Sequence, residues 1–238
     1  EISACLVGSE MCIRDRAIQH NTGPCMVIAG PGSGKTTVLT HRVRYLIERY
    51  GVNPSDILVI TFTKAAAEQM KLKFKGLSEG RNSAVTFGTF HAVFFTILKA
   101  AYNYSAHCII KPQIQHEFVK DQMCRLELEY DDENEAVAGV LSEISCVKGE
   151  DVNIDEYESR CIPPQSFRIM YRAYDDMLVR KHLIDFDDMI VQCRELLMQR
   201  EDYRRAWQNK YKYILIDEFQ DINKAQFDVV RILADEYR

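Results

Sequence analysis

Seven residues, Gly30-Pro31-Gly32-Ser33-Gly34-Lys35-Thr36, bring three glycines, a lysine and a hydroxyl together within one short stretch. The chemistry open to that pattern is phosphate binding. Glycines let the backbone take positive φ and turn its amides inward. A helix opening directly after the loop adds a partial positive charge of about half a unit. Lys35 is then placed to reach the β- and γ-phosphates, and the Thr36 hydroxyl to ligate Mg2+; Thr37 follows on the same turn. The alternative is a glycine turn between two elements that holds no ligand.

A second chemical cluster stands near the other end, in Ile214-Leu-Ile-Asp217-Glu218-Phe-Gln220-Asp221. An apolar strand delivers Asp217 to a sheet edge, where a carboxylate can hold a hydrated metal. Glu218 follows, placed to orient and deprotonate a water. Nucleotide hydrolysis divides its labour in this way, between charge neutralisation on the phosphates and a carboxylate on the nucleophile. The bland alternative is an acidic helix N-terminus.

The elements that must carry these residues can be read from periodicity. Cys25–Ala29 is an apolar run before the glycine loop and is expected to be a buried strand. Lys35–Tyr50 has Val38, Leu39, Val43, Leu46 and Ile47 at helical spacing. Residues 51–56 form a turn, Ile57–Phe62 a buried strand, and Thr63–Phe74 a helix with Ala66, Met70 and Phe74 on one face. Ala84–Phe87 reads as a third strand and Phe90–Tyr102 as a helix. Helices are expected over 113–129, 133–147, 164–182, 185–199 and 223–236, with a buried strand at Tyr211–Ile216. Alternating apolar strands and helices imply an α/β fold with a parallel sheet covered on both faces. The stretch 105–184 holds helices and no strand, and reads as a helical insertion.

Composition narrows the class without choosing it. The chain has 238 residues, 47% hydrophobic and 27% charged, enough for a sizeable core. No apolar run reaches the roughly 18 residues a membrane helix needs, and no signal-peptide pattern is seen, so a cytoplasmic location is expected. None of the eight cysteines forms a CxxC pair, which argues against a metal or disulfide framework. The net charge of −5 does not advertise nucleic-acid binding, but screening limits a charge's reach to about 10 Å, so a groove can be basic on an acidic protein. The acids clustered over 127–135 read as solvated surface.

Taken together, four blocks resemble the superfamily 1 DNA helicases of the UvrD/Rep/PcrA kind. Asp217-Glu-Phe-Gln-Asp-Ile-Asn223 is similar to their motif II, and Ile60-Thr-Phe-Thr-Lys-Ala-Ala-Ala67 to motif Ia. Thr89-Phe90-His91 resembles motif Ib, and Asp185-Phe-Asp-Asp-Met189 the segment that returns the chain to the first motor domain. The Ala-Gly-x-Gly-Ser-Gly-Lys-Thr form of the phosphate loop suits the same group. The resemblance implies a RecA-like P-loop NTPase with an inserted α-helical subdomain. Its parts are 17–104 and 185–238 for the RecA-like domain and 105–184 for a 1B-like insertion. Residues 1–16 look extraneous.

The resemblance also implies ATP and Mg2+ as ligands. Gly30, Pro31, Gly32, Ser33, Gly34, Lys35, Thr36 and Thr37 would hold nucleotide, and Thr36 and Asp217 the metal. Glu218 would be the catalytic base, and Gln220 a sensor of the γ-phosphate. Phe62, Thr63, Thr89 and His91 would line a single-stranded DNA channel, where aromatic faces stack on any base and hydroxyls bond phosphate. On its own, Phe62 reads as a core aromatic and His91 as a histidine bonded to backbone at a helix start. The implied activity is an ATP-dependent helicase moving 3′ to 5′ on single strands. The family's adenine-recognising glutamine falls at Arg14, which puts adenine recognition in doubt. Motifs III to VI and the partnering second RecA-like domain would follow beyond Arg238, so the 238 residues are expected to turn over ATP poorly alone. A helicase–nuclease subunit of the RecB/AddA type, or a non-catalytic nucleotide- or DNA-binding module, remain the alternatives.

Overall fold

A computed structural model describes residues 13–21, 23–78 and 84–235. Chain contacts divide into two units. The first takes in the described residues of Glu1–Ala92, Arg205–Asp221 and Leu233–Arg238, and the second is Val93–Arg204 with Ile222–Ile232.

Among the described residues the first unit is built on three short strands, two of them apolar and rich in β-branched residues, a composition that suits a pleated surface. β1 (Ile57–Thr61) is buried at every position. β2 (Thr86–Thr89) and β3 (Tyr213–Ile216) pair with it in parallel, in the order β2-β1-β3. The register sets Leu58 against Thr86 and Ile214, and Thr61 against Thr89. The helix α2 (Lys35–Tyr50) starts where the loop glycine Gly34 takes φ 87 and stops at Gly51 with φ 66, whose N–H bonds to Leu46 O. Positive φ is cheap only for glycine, so both ends are fixed by sequence. α3 (Lys64–Leu77) begins at Thr63, whose hydroxyl accepts the N–H of Ala66 at 3.1 Å. Its buried face is Ala67, Met70 and Phe74, one residue off the expected Ala66. Met70 and Phe74 pack with Val43, Leu46, Ile57, Val59, Val85 and Leu215 into one core.

One expectation fails in this unit. The run Cys25–Ala29 is not a buried strand. It is irregular, with Met26, Val27 and Ile28 exposed at 69%, 46% and 91%. An apolar run becomes a strand only with a ladder partner and a covering layer; among the described residues β3 pairs with β1 alone. Residues 13–16, the described part of the segment expected to be extraneous, are helical. They begin α1 (Ile13–Gln19), whose last carbonyls are taken by α2: the Arg42 guanidinium donates to Ala17 O at 3.0 Å, and Tyr50 Oη to Gln19 O at 3.0 Å. Residues 1–12 lie outside the described residues.

The second unit is helical. α4 (Phe90–Ala101) leads in from the first unit, and α5 (Pro112–Arg125), α6 (Glu133–Glu150), α7 (Pro164–Arg180) and α8 (Phe186–Gln199) follow. Each start carries a readable device. Pro112 and Pro164 sit at first-turn positions, Asp132 accepts the N–H of Glu135 at 2.9 Å, and Asp185 with Asp188 forms a capping box. The core gathers Val119, Met123, Val140, Ile144, Phe167, Met170 and Tyr174, all at most 2% exposed. α9 (Glu201–Lys210), of which Arg205–Lys210 belong to the first unit, is a helix that periodicity missed, because its apolar content is little more than the buried Trp207. α10 (Lys224–Ala234) closes the described chain.

A buried ion cluster sits in this unit. Lys148 Nζ lies 3.0 Å from Asp175, 3.0 Å from Asp185 and 2.7 Å from Asp188, with the lysine and Asp185 side chains each 4% exposed. Burial alone would lower the lysine's pKa; the three carboxylates more than offset that and raise it. Burial, with Asp185 adding repulsion, pushes the Asp188 carboxyl up to about 6.

Candidate functional site

In a parallel sheet every strand ends on the same edge, and loops leaving that edge converge. Here the edge delivers Phe62 and Thr63 after β1, Phe90 and His91 after β2, and Asp217 and Glu218 after β3. Asp217 remains tied to the sheet, its N–H donating to Ile60 O at 2.9 Å.

The phosphate loop meets the acidic motif at this edge. Gly32 and Gly34 take φ 73 and 87, and a Cβ built on either, or on Gly30, would meet nothing within 4 Å. Open space faces the loop, as a cradle for a ligand requires. The turn closes on itself through Ser33 N–H to Gly30 O at 3.3 Å. Ser33 Oγ is buried and has no hydrogen-bond partner among the described residues. Lys35 reaches back across the loop, its Nζ 3.5 Å from Ala29 O and 3.5 Å from Glu218 Oε1. Thr36 and Thr37 lie in the first turn of α2, and both of their carbonyls accept the buried Thr40 hydroxyl, at 3.1 and 2.9 Å.

Glu218 sits in left-handed backbone, φ 50. Its other oxygen accepts the Gln220 amide at 2.7 Å, and a turn over Phe219–Asp221 closes with Asp221 N–H to Glu218 O at 3.0 Å. The Gln220 hydrogen bond, helped by the Lys35 ammonium, holds the Glu218 carboxyl below the ordinary range against the opposing effect of desolvation. Asp217 behaves oppositely: burial, then repulsion from Glu218, raises it. Two adjacent carboxylates are thus driven apart in acidity by burial on one side and donors on the other.

These residues suit a magnesium nucleotide. Magnesium is ordinarily held by one or two protein oxygens plus phosphates and water, not by a dedicated protein cage. Among the described residues no group of three or more His, Cys, Asp or Glu could hold a metal by itself. Thr36 and Asp217 can supply that smaller set, and Ser33 Oγ and the glycine amides give the loop unspent hydrogen-bonding capacity.

The four residues assigned to DNA share the same edge. Phe62 is 37% exposed and stands edge-on to the buried Phe90, centroids 5.6 Å apart. Thr63 and Thr89 cap α3 and α4, the Thr89 hydroxyl accepting the N–H of Ala92 at 3.3 Å. A capping hydroxyl keeps its own proton for another acceptor. Burial lowers the His91 pKa, which favours a neutral ring. The supporting role of Phe90 was not foreseen. Its signal is the register: Thr61 pairs with Thr89, so the next residue on each strand is an aromatic.

Comparison with known proteins gives the same direction. The profile of the UvrD/REP helicase N-terminal domain matches residues 13–238, starting at α1. The ATP-dependent DNA helicase PcrA of Staphylococcus epidermidis is 31% identical over 237 residues, covering 94% of this chain and 31% of the relative. YjcD of Bacillus subtilis strain 168 is 34% identical over 231 residues, 92% of this chain and 29% of YjcD. PcrA of Staphylococcus aureus is 30% identical over 234 residues, again 94% and 31%. The chain therefore spans about a third of the length of these relatives. Among the described residues no helix is long and apolar enough to cross a membrane. With a profile match over nearly all of its length, the chain belongs to the UvrD/REP helicase N-terminal domain family.

Proposed function

We propose that this chain is the nucleotide-binding portion of an ATP-dependent DNA helicase that moves 3′ to 5′ on single-stranded DNA in the cytoplasm. The observation that carries the reading is the meeting of Lys35 and Glu218 at 3.5 Å, from the phosphate loop and from the end of β3, beside Gly32 and Gly34 in positive φ. In this reading Gly30 to Thr37 cradle ATP, with Lys35 turning from Glu218 to the β- and γ-phosphates. Thr36 and Asp217 hold Mg2+, which offsets phosphate charge when bound. Glu218, ionised and released by Lys35, accepts the proton of the attacking water. Gln220 already touches Glu218 and relays the state of the γ-phosphate to the chain beyond. Phe62 stacks on a base, while Thr63, Thr89 and neutral His91 bond the DNA backbone without reading sequence. Residues 17–104 and 185–238 form the RecA-like domain, 105–184 a 1B-like insertion, and a second RecA-like domain is the partner that completes turnover.

The test is binding of a fluorescent ATP analogue to the purified 238-residue chain beside Lys35→Ala, with and without single-stranded DNA. Saturable binding that the substitution weakens by about a hundredfold, the scale of losing a charge-assisted contact to phosphate, is the expected result. Equal affinity in both proteins would refute the phosphate-loop reading.

A further inference from the structure

The last turn of α6 grips the segment that follows the acidic motif. Gly149 is buried, and a Cβ built on it would fall 2.7 Å from the Asn223 amide nitrogen and 3.4 Å from its Cγ. A methyl at this position would make the Asn223 side chain shift. Two residues along, Asp151 accepts from Arg194 at 3.0 Å and stands 3.7 Å from Lys224 Nζ, and Arg194 also lies 3.8 Å from Asp228. Asn223 itself is locked onto α10: its side-chain oxygen accepts the N–H of Gln226 at 2.8 Å, and its own N–H donates to the Gln226 side chain at 3.2 Å.

Between this clamp and the acidic motif the chain is short. Glu218 to Asp221 is closed by its own turn hydrogen bond, and Asn223 onward is held by the helix cap. Ile222 is the single residue joining the two hydrogen-bonded pieces.

We propose that Asn223, seated on Gly149, is a positioning residue for Asp217, Glu218 and Gln220, acting through the chain and not through contact with nucleotide. The inference rests on the reading of Asp217 as the metal-holding carboxylate. It gives the clamp a specific signature. The Mg2+-dependent part of nucleotide affinity depends on Asp217, whereas the metal-free part depends on the phosphate loop, which the clamp does not touch.

The experiment titrates the fluorescent ATP analogue into the wild-type chain, Gly149→Ala, Asn223→Ser and the double variant, each in Mg2+ and in EDTA, with thermal melts alongside. Serine keeps the helix cap and removes the amide that the new methyl would meet. Gly149→Ala is expected to cut the ratio of affinities with and without Mg2+ by roughly fivefold or more, the lower end of ordinary coupling between sites, with affinity in EDTA unchanged. Asn223→Ser alone lowers the ratio as well, and the double variant returns it toward wild type, because the methyl then fills the space the amide left. A wild-type ratio in Gly149→Ala, with only its melting temperature lowered, would overturn the proposal. Should that variant not fold, a wild-type ratio in Asn223→Ser overturns it equally. Wild-type binding that is blind to Mg2+ and to Lys35→Ala would instead overturn the nucleotide reading beneath it.

Discussion

Replacing Lys148 by methionine should unbalance the buried ion cluster without emptying its space. Methionine refills most of the lysine stem, so the loss is electrostatic. Asp185 and Asp188, 4% and 19% exposed, would then face each other without their cation, while Asp175, at 41%, is screened by water and adds little. Breaking a buried pair by removing one partner costs about 3–5 kcal/mol. In a domain of this size each kcal/mol moves the melting temperature by about 2–4 °C, so the midpoint should fall by about 6–20 °C. The pH dependence gives the sharper signature. The Asp188 carboxyl is raised, so its proton favours the folded state; that contribution is complete below the unfolded value of about 4 and is lost as pH rises through about 6. Without Lys148 the repulsion with Asp185 pushes Asp188 higher still, so one shared proton relieves more strain in the variant than in wild type. Thermal melts by circular dichroism at pH 5 and pH 8 should therefore show a larger gap between variant and wild type at pH 8, and Lys148→Met with Asp185→Asn and Asp188→Asn should close it. A gap under about 2 °C, or one equal at both pH values, would refute the assignment of this cluster as a buried charge balance.

Two further outcomes are expected. Gly51→Ala places a Cβ in left-handed backbone at the end of α2 and should cost about 1–2 kcal/mol, read as a lower melting temperature, while nucleotide affinity stays at the wild-type value because Gly34 and the loop lie at the other end of that helix. Cys193 is fully buried and its thiol is pushed well above the ordinary value, so iodoacetamide on the native protein should label the exposed Cys25, Cys124, Cys146 and Cys161 and spare Cys193 until denaturant is added; peptide mass spectrometry showing equal labelling would contradict the buried placement.

What was legible in the residues follows from how local each cause is. The boundaries of α2 could be read to the residue because a glycine stands at each end, and those of β1 to within one, since it was expected to reach Phe62 and ends at Thr61. The meeting of the phosphate loop with Glu218 was not legible: the end of β3 delivers Glu218 to the sheet edge, but the segment before the loop is not a strand of that sheet, so no strand end places Lys35 beside it. β2 was expected two residues early, because its start is set by pairing with Leu58 and not by its own composition. Cys25–Ala29 misled for a related reason: hydrophobicity reports what a segment could bury, not whether a neighbour covers it. The seat of Asn223 on Gly149 and the ion cluster of Lys148 join positions far apart in the chain, and no local pattern marks either one.

The left-handed backbone at Glu218 decides which variants of that position can be interpreted. Glutamine keeps the same side-chain shape and the same backbone demand as glutamate, so Glu218→Gln isolates the loss of charge. Valine or isoleucine would bring a branched Cβ into φ 50, where it is sterically rejected, and inactivity in such a protein would say nothing about the carboxylate. Glycine works the other way. It relieves the torsional cost that glutamate bears there, so Glu218→Gly can raise stability while removing the carboxylate. A gain in melting temperature at this position would mark a residue held in a costly conformation for what it does and not for what it packs against.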